Sequence, residues 1–146
     1  MSFQSEPNII RWKMHFSSPR EKVFAALATD TGRASYWAES APEDDGKITF
    51  HILNYEAFSG RILSKEQPSK FALEYFGTVV EFLLEDDCAG GTDLSLVSTQ
   101  VDESIRIEMV AGWISVLMAM KAAVDHGVDL RNHDASRSWS DGYADN

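Results

Sequence analysis

Cysteine is nearly absent from this chain. Cys88 is the single one among 146 residues, so no internal disulfide can form and the fold must rest on a buried core. It lies in Asp86-Asp87-Cys88-Ala89-Gly90-Gly91, which reads as a turn with no base beside the thiol, so it is not taken as a nucleophile. Positive charge is also scarce: 13 Lys and Arg stand against 23 Asp and Glu, a formal net charge of −10. The cations are scattered and form no stripe. Such a surface repels phosphate backbones and anionic headgroups, so no nucleic-acid partner is expected. Long hydrophobic runs are missing as well. The most apolar stretch, between Glu108 and Lys121, falls short of the ~20 residues of a membrane span. Met1-Ser2-Phe3-Gln4-Ser5-Glu6 has neither the basic start nor the apolar centre of a secretory leader. A cytoplasmic protein without a membrane span is expected.

The signatures of several chemistries are lacking too. Metal binding needs ligands that converge, and the spacing of His126, His133 and Cys88 offers no such set. No metal or other cofactor is expected. No Gly-x-Ser-x-Gly elbow occurs, and Ser115 falls on a helix. Gly90-Gly91 lacks the Lys and helix of a phosphate loop. His51, Arg61, Glu74, Tyr75 and Glu81 fall in strands and are the candidates for acid–base work. His51, Glu74 and Glu81 alternate with apolar neighbours, which assigns them to the solvent face.

What the chain does have is pattern. Ile10, Trp12, Met14 and Phe16 alternate with Arg11, Lys13 and His15, a half-buried strand. Ser18-Pro19-Arg20-Glu21 has the form of a capping box leading into a short helix through Val23, Phe24 and Leu27. Thr29 to Gly32 breaks it, and Arg33 to Ala38 is a second short helical segment. After a polar loop over Pro42–Gly46, alternation resumes in Lys47–Leu53, Glu56–Lys65, Phe71–Tyr75, Val80–Leu84 and Thr92–Val101. Short turns separate most of these segments, and Gly60 marks a bulge or bend. Six strands in one antiparallel meander are predicted.

A long helix follows, from about Glu103 to His126, with Asp102 or Ser104 at its start and Gly127 at its stop. Val110, Trp113, Leu117, Met120 and Val124 recur at helical spacing, and Ile107, Ile114 and Met118 are expected to widen that buried face. Glu108, Gly112, Ser115, Ala119 and Ala122 make the opposite stripe, free for solvent or a close neighbour. Residues 1–127 are read as one domain, and residues 128–146 as a polar tail whose Trp139 and Tyr143 suggest partial docking.

This order of segments resembles the Bet v 1-like, START-related (SRPBCC) superfamily of helix-grip domains. It is most similar to the branch of the activator of Hsp90 ATPase homologue (AHSA1-like). The residues carrying the resemblance are Ser18 to Leu27, Trp37, Phe58-Ser59-Gly60-Arg61-Ile62, Val79-Val80-Glu81-Phe82, Gly90 to Leu94, Gly112-Trp113 with Leu117, and Asp129-Leu130-Arg131-Asn132. The resemblance implies an α+β helix-grip fold: a six-stranded antiparallel sheet curved around a long C-terminal helix, with two short helices after the first strand. It also implies a cavity between sheet and helix.

The residues predicted to line that cavity are Tyr36, Trp37, Phe50, Phe58, Phe71, Leu73, Tyr75, Phe82, Met109, Trp113, Leu117 and Met118. Non-catalytic binding of a small hydrophobic molecule is the leading expectation. The alternatives are a protein-interaction module of the Hsp90-activator kind and a polyketide cyclase- or dehydratase-like enzyme. A protein partner or a second copy of the chain, as a homodimer, is the further partner expected.

Overall fold

The structure, a computed structural model, describes residues 3–146; Met1 and Ser2, where the segment read for a leader begins, lie outside the described residues. Strand β1 (Ile10–Phe16) is followed by helices α1 (Arg20–Ala28) and α2 (Asp30–Ala34). Strands β2 (Glu43–Asp44), β3 (Lys47–Phe50), β4 (Phe58–Glu66), β5 (Lys70–Tyr75), β6 (Thr78–Asp86) and β7 (Thr92–Thr99) come next. A 3-10 turn, Glu103–Ile105, leads into α3 (Arg106–His126). All strands join one antiparallel sheet in the order β1-β7-β6-β5-β4-β3-β2.

The sheet therefore has seven strands rather than the predicted six. The extra one, β2, sits in what was read as the polar loop Pro42–Gly46. Asp45 and Gly46, at φ 50° and 75°, form a two-residue turn that pairs Glu43 with Ile48 and Asp44 with Lys47. Asp-Gly supplies the positive φ that such a hairpin turn requires.

Alternation holds along the central strands. Phe71, Leu73 and Tyr75 on β5, Val80, Phe82 and Leu84 on β6, and Leu94 and Leu96 on β7 are buried. Gly60 is not the bulge. The register of β4 slips between Ile62 and Ser64, whereas a Cβ on Gly60 would come within 1.9 Å of the Glu74 carbonyl oxygen. Glycine is required there by backbone approach.

The start of α1 is also built differently from the predicted box. Pro19 occupies the cap with no side-chain bond. Ser18 instead turns to α3: its Oγ donates to Asp125 Oδ1 at 2.7 Å, and the backbone N–H groups of Ser17 and Ser18 donate to the same carboxylate. The second short helix begins earlier than predicted, because Thr29 Oγ1 accepts from Gly32 N and caps it.

Helix α3 starts beyond Asp102, which accepts from Ser104 N, and stops at Gly127 in the left-handed conformation (φ 64°). Trp113, Leu117, Met120 and Val124 are buried, and so is Ala119. Ile107, Ile114 and Met118 do not widen the buried face; they are 85%, 41% and 51% exposed. The helix is apolar almost all round, so spacing alone could not choose its inner face. The helical stretch Glu103–His126 is long and apolar enough to cross a membrane, contrary to the shorter run read from the sequence. The core helix of a folded domain meets the same test, and this one packs Trp113 against Tyr75 and Phe82 of the sheet, with ring centroids 5.1 and 5.9 Å apart.

Candidate functional site

The space between sheet and α3 is filled by rings. Trp37, just after α2, stands at the centre, its ring 5.0 Å from Phe50, 5.4 Å from Tyr75, 5.9 Å from Phe82 and 5.9 Å from Trp113. Tilted and edge-on pairs of this kind add about 0.5–1.5 kcal/mol each beyond simple burial. Trp37 Nε1–H donates to Tyr75 Oη at 3.2 Å, and Tyr36 Oη–H donates to the Ala26 carbonyl at 3.0 Å. Burial pushes both phenols well above the usual tyrosine range, so they stay neutral.

Free volume lies to one side of this cluster. A recess of about 360 Å³ opens between α3, the loop after β3, the β5–β6 turn and the C-terminal tail. Its walls come from Trp37, Ile52, Tyr55, Tyr75, Phe76, Met109, Gly112, Trp113 and Val116, with Ile105, Glu108, Ser115, Trp139 and Asn146 completing the lining. A second cavity of about 500 Å³ adjoins it, sharing Trp37, Ser115, Val116, Trp139 and Asn146.

Phe76 is held unusually. It has φ 49°, followed by Gly77 at 74°, so both central residues of the β5–β6 turn are left-handed. Gly, Asn and Asp tolerate this conformation, whereas a bulky aromatic residue is strained in it. The Phe76 ring is kept there by Phe58, at 4.1 Å, and Tyr75, at 4.7 Å. Strain of this kind gathers at binding sites, and here it presents an aromatic ring, 39% exposed, to the recess.

The tail closes the other wall. Arg131 donates to the carbonyls of Ala38 and Ala34, both at 2.7 Å. Asn54 Nδ2 donates to Ala135 O, Trp139 Nε1 to Glu108 Oε1, and Ser115 Oγ to Ala144 O. His133 bridges two carboxylates, with Nδ1 2.7 Å from Glu39 Oε1 and Nε2 2.7 Å from Asp129 Oδ2. The small stripe of α3 through Gly112 and Ser115 thus faces the chain's own tail.

Of the residues predicted from sequence, Trp37, Tyr75, Met109 and Trp113 line the recess, and Tyr36, Trp37 and Met118 line the adjoining cavity. Phe50, Phe71, Leu73, Phe82 and Leu117 are 0–1% exposed and belong to the packed core. Phe58 is partly buried behind Phe76. Tyr55, Phe76, Glu108 and Trp139 are recess residues that sequence reasoning missed. They lie in loops, in the tail or on the helix side read as solvent-facing. The one available hint was two aromatics in an otherwise polar tail.

Among the described residues, no three His, Cys, Asp or Glu are grouped to hold a metal ion. His51, Arg61 and Glu74 are exposed, as is Cys88.

No curated protein matches the chain. The fold recurs among solved structures. Protein SSP2350 from Staphylococcus saprophyticus is 25% identical with a TM-score of 0.73, over 84% of this chain and 96% of that one. The Aha1 dimer from Colwellia psychrerythraea is 18% identical with a TM-score of 0.73, over 82% and 97%. DynU16, from the dynemicin biosynthetic locus, is 17% identical with a TM-score of 0.72, over 84% of this chain and 49% of its own. The family model described as Activator of Hsp90 ATPase homolog 1-like protein matches residues 17–125. With most of its length matched, the chain belongs to the Activator of Hsp90 ATPase homolog 1-like family.

Proposed function

We propose that the protein binds a small apolar molecule in the recess between α3, the β5–β6 turn and the C-terminal tail, without transforming it. The observation that carries this reading is a preformed, ring-lined space of about 360 Å³ beside the packed ring cluster around Trp37. That volume and lining suit a small-molecule site. Burying the ligand's apolar surface would supply roughly 25 cal/mol per Å² before ordering costs. Among the side chains in the walls, Tyr75 is held neutral and the Glu108 carboxylate accepts from Trp139 at the tail, so the lining offers no paired acid and base.

Gly112 provides the test. A Cβ there would meet nothing within 4 Å, and a larger residue suits a helix better than glycine. Gly112→Leu is therefore expected to fill the recess and abolish uptake of a fluorescent apolar probe while the domain stays folded. Uptake unchanged by this substitution, or no uptake by the unaltered protein, would refute the reading.

A second reading is favoured by the exposed stripe on α3. Ile107, Ile114 and Met118 present an apolar surface to solvent, and a structural relative is described as an Aha1 dimer. A protein contact here, with a second copy or another partner, would be weakened by Ile107→Lys with the recess intact. Sedimentation and pull-down of the two forms distinguish this from ligand binding.

A further inference from the structure

The C-terminal segment 128–146 walls both cavities yet adds nothing to the core. Trp139 and Asn146 line the recess, and Leu130, Arg131, Trp139, Ala144 and Asp145 line the adjoining cavity. No residue of the segment is buried, and none joins the apolar core. It lies beyond residues 17–125, which the family model matches. Hydrogen bonds hold it instead: Arg131 donates to the carbonyls of Ala34 and Ala38, Asn54 to Ala135, Ser115 to Ala144 and Trp139 to Glu108. A segment with so little apolar burial opens at small free-energy cost, without the domain unfolding.

One contact of the segment depends on a proton. His133 sits between two carboxylates, with Nδ1 2.7 Å from Glu39 Oε1 and Nε2 2.7 Å from Asp129 Oδ2. An ionised carboxylate only accepts, so both ring nitrogens must carry hydrogen, which defines the imidazolium. A neutral ring has one N–H and would turn a lone pair toward the other carboxylate. Asp129 belongs to the tail and Glu39 to the segment after α2, and Arg131 is the other charged group that acts on the ring. Among the described residues, His133–Glu39 is the one ion pair that joins the tail to the rest of the chain. The backbone also reverses there in the left-handed region, at φ 52°, which is disfavoured for a residue with a side chain. Apart from His133, the tail carries Asp129, Asp134, Asp141 and Asp145 against Arg131 and Arg137, on a chain of formal net charge −10. Without the imidazolium, an acidic strip lies on an acidic domain.

We propose that segment 128–146 is a proton-operated latch over the recess. It is closed while His133 bridges Glu39 and Asp129 and opens when the ring loses its proton, so a bound apolar molecule is retained in mild acid and exchanges faster in mild alkali. This rests on the recess being a binding site. Asp129 first and then Glu39 raise the imidazole above its ordinary value. The latch is therefore closed below about pH 6.5 and loosens as pH rises through the higher folded value. The His133 and Glu39 side chains are both more than a third exposed, so screening keeps the change to a severalfold one.

The test is the release rate of N-phenylnaphthylamine, a neutral fluorescent probe, from the full chain. It is followed by stopped flow at about pH 5.5 and about pH 8.5, on either side of the imidazole range. Release is expected to be severalfold faster at the higher pH. Protection of the 128–146 amide hydrogens, corrected for their intrinsic pH dependence, should fall in parallel. His133 and Glu39 line neither cavity, so His133→Gln and Glu39→Gln should each leave binding possible, release the probe quickly at both pH values and abolish the difference. One release rate at both pH values, whether or not the tail amides lose protection, would overturn the latch while leaving the recess a binding site. A pH difference that survives His133→Gln would do the same. No probe bound at either pH would overturn the recess reading and the latch with it.

Discussion

Trp37 donates its indole N–H to the phenol oxygen of Tyr75 across 3.2 Å, inside the ring cluster that joins the sheet to α3. The bond ties a residue from the segment after α2 to the last residue of β5, next to the turn that presents Phe76. Removing the hydroxyl orphans a buried N–H, which costs about 1–3 kcal/mol. Tyr75→Phe is therefore expected to lower unfolding stability by that amount in urea titration, with the slope unchanged. A neutral effect would mean that the indole finds another acceptor.

Asp125 fastens the far end of α3 to the start of α1. Its side chain is 1% exposed and accepts from Ser17 N, Ser18 N and Ser18 Oγ. Burial works against its charge, but those bonds and Lys121 outweigh it and hold the carboxyl below the usual range. A depressed carboxyl contributes stability above its unfolded value and loses it as pH falls through the folded one. Asp125→Ala should cost about 2–3 kcal/mol near neutrality, since bonds to a charged acceptor are lost. The penalty should shrink in acid, as measured by urea denaturation across pH.

The tail clamp should show the opposite limb. Asp129 and then Glu39 raise the His133 imidazole above its ordinary value. A raised imidazole adds stability that is full below its unfolded value of about 6.5 and is lost as pH rises through the higher folded one. Asp129, held far below the carboxylate range first by Arg131, keeps its contribution until strongly acid pH. Tail docking should thus be firmest from about pH 4 to 6 and loosen above neutrality. Proteolysis of the 128–146 segment followed against pH would register this, and His133→Gln should flatten the alkaline limb.

Two methionines two residues apart should behave differently. Met120 is fully buried and Met118 is half exposed. Met120→Ala is expected to cost about 2–5 kcal/mol and Met118→Ala under about 0.5. Thermal melts of the pair check the orientation of α3 directly.

The sequence made the regular part of this architecture readable because period-two alternation leaves little freedom in β1, β5, β6 and β7. It concealed β2, although Asp45-Gly46 carries the hairpin signal, because two acidic residues do not look like a strand. It misassigned Ile107, Ile114 and Met118 because α3 is apolar on nearly every side, and packing rather than spacing decides which side is inner. The core rings were foreseen, but not that Phe50, Phe71, Leu73, Phe82 and Leu117 would fill the middle. The recess depends on Phe76 in a strained turn and on Trp139 folding back some thirty residues to Glu108, and neither event has a local sequence signature.

The most direct test follows the indole N–H signals of the four tryptophans by nitrogen-15 NMR during titration with a small apolar probe such as naphthalene. Binding in the recess predicts that the Trp113 and Trp139 signals move, because both rings line it. The Trp12 indole, bonded to Val110 O on the β1 side of α3, should stay in place. Saturating ligand with Trp113 unmoved, or a shift confined to Trp12, would contradict it.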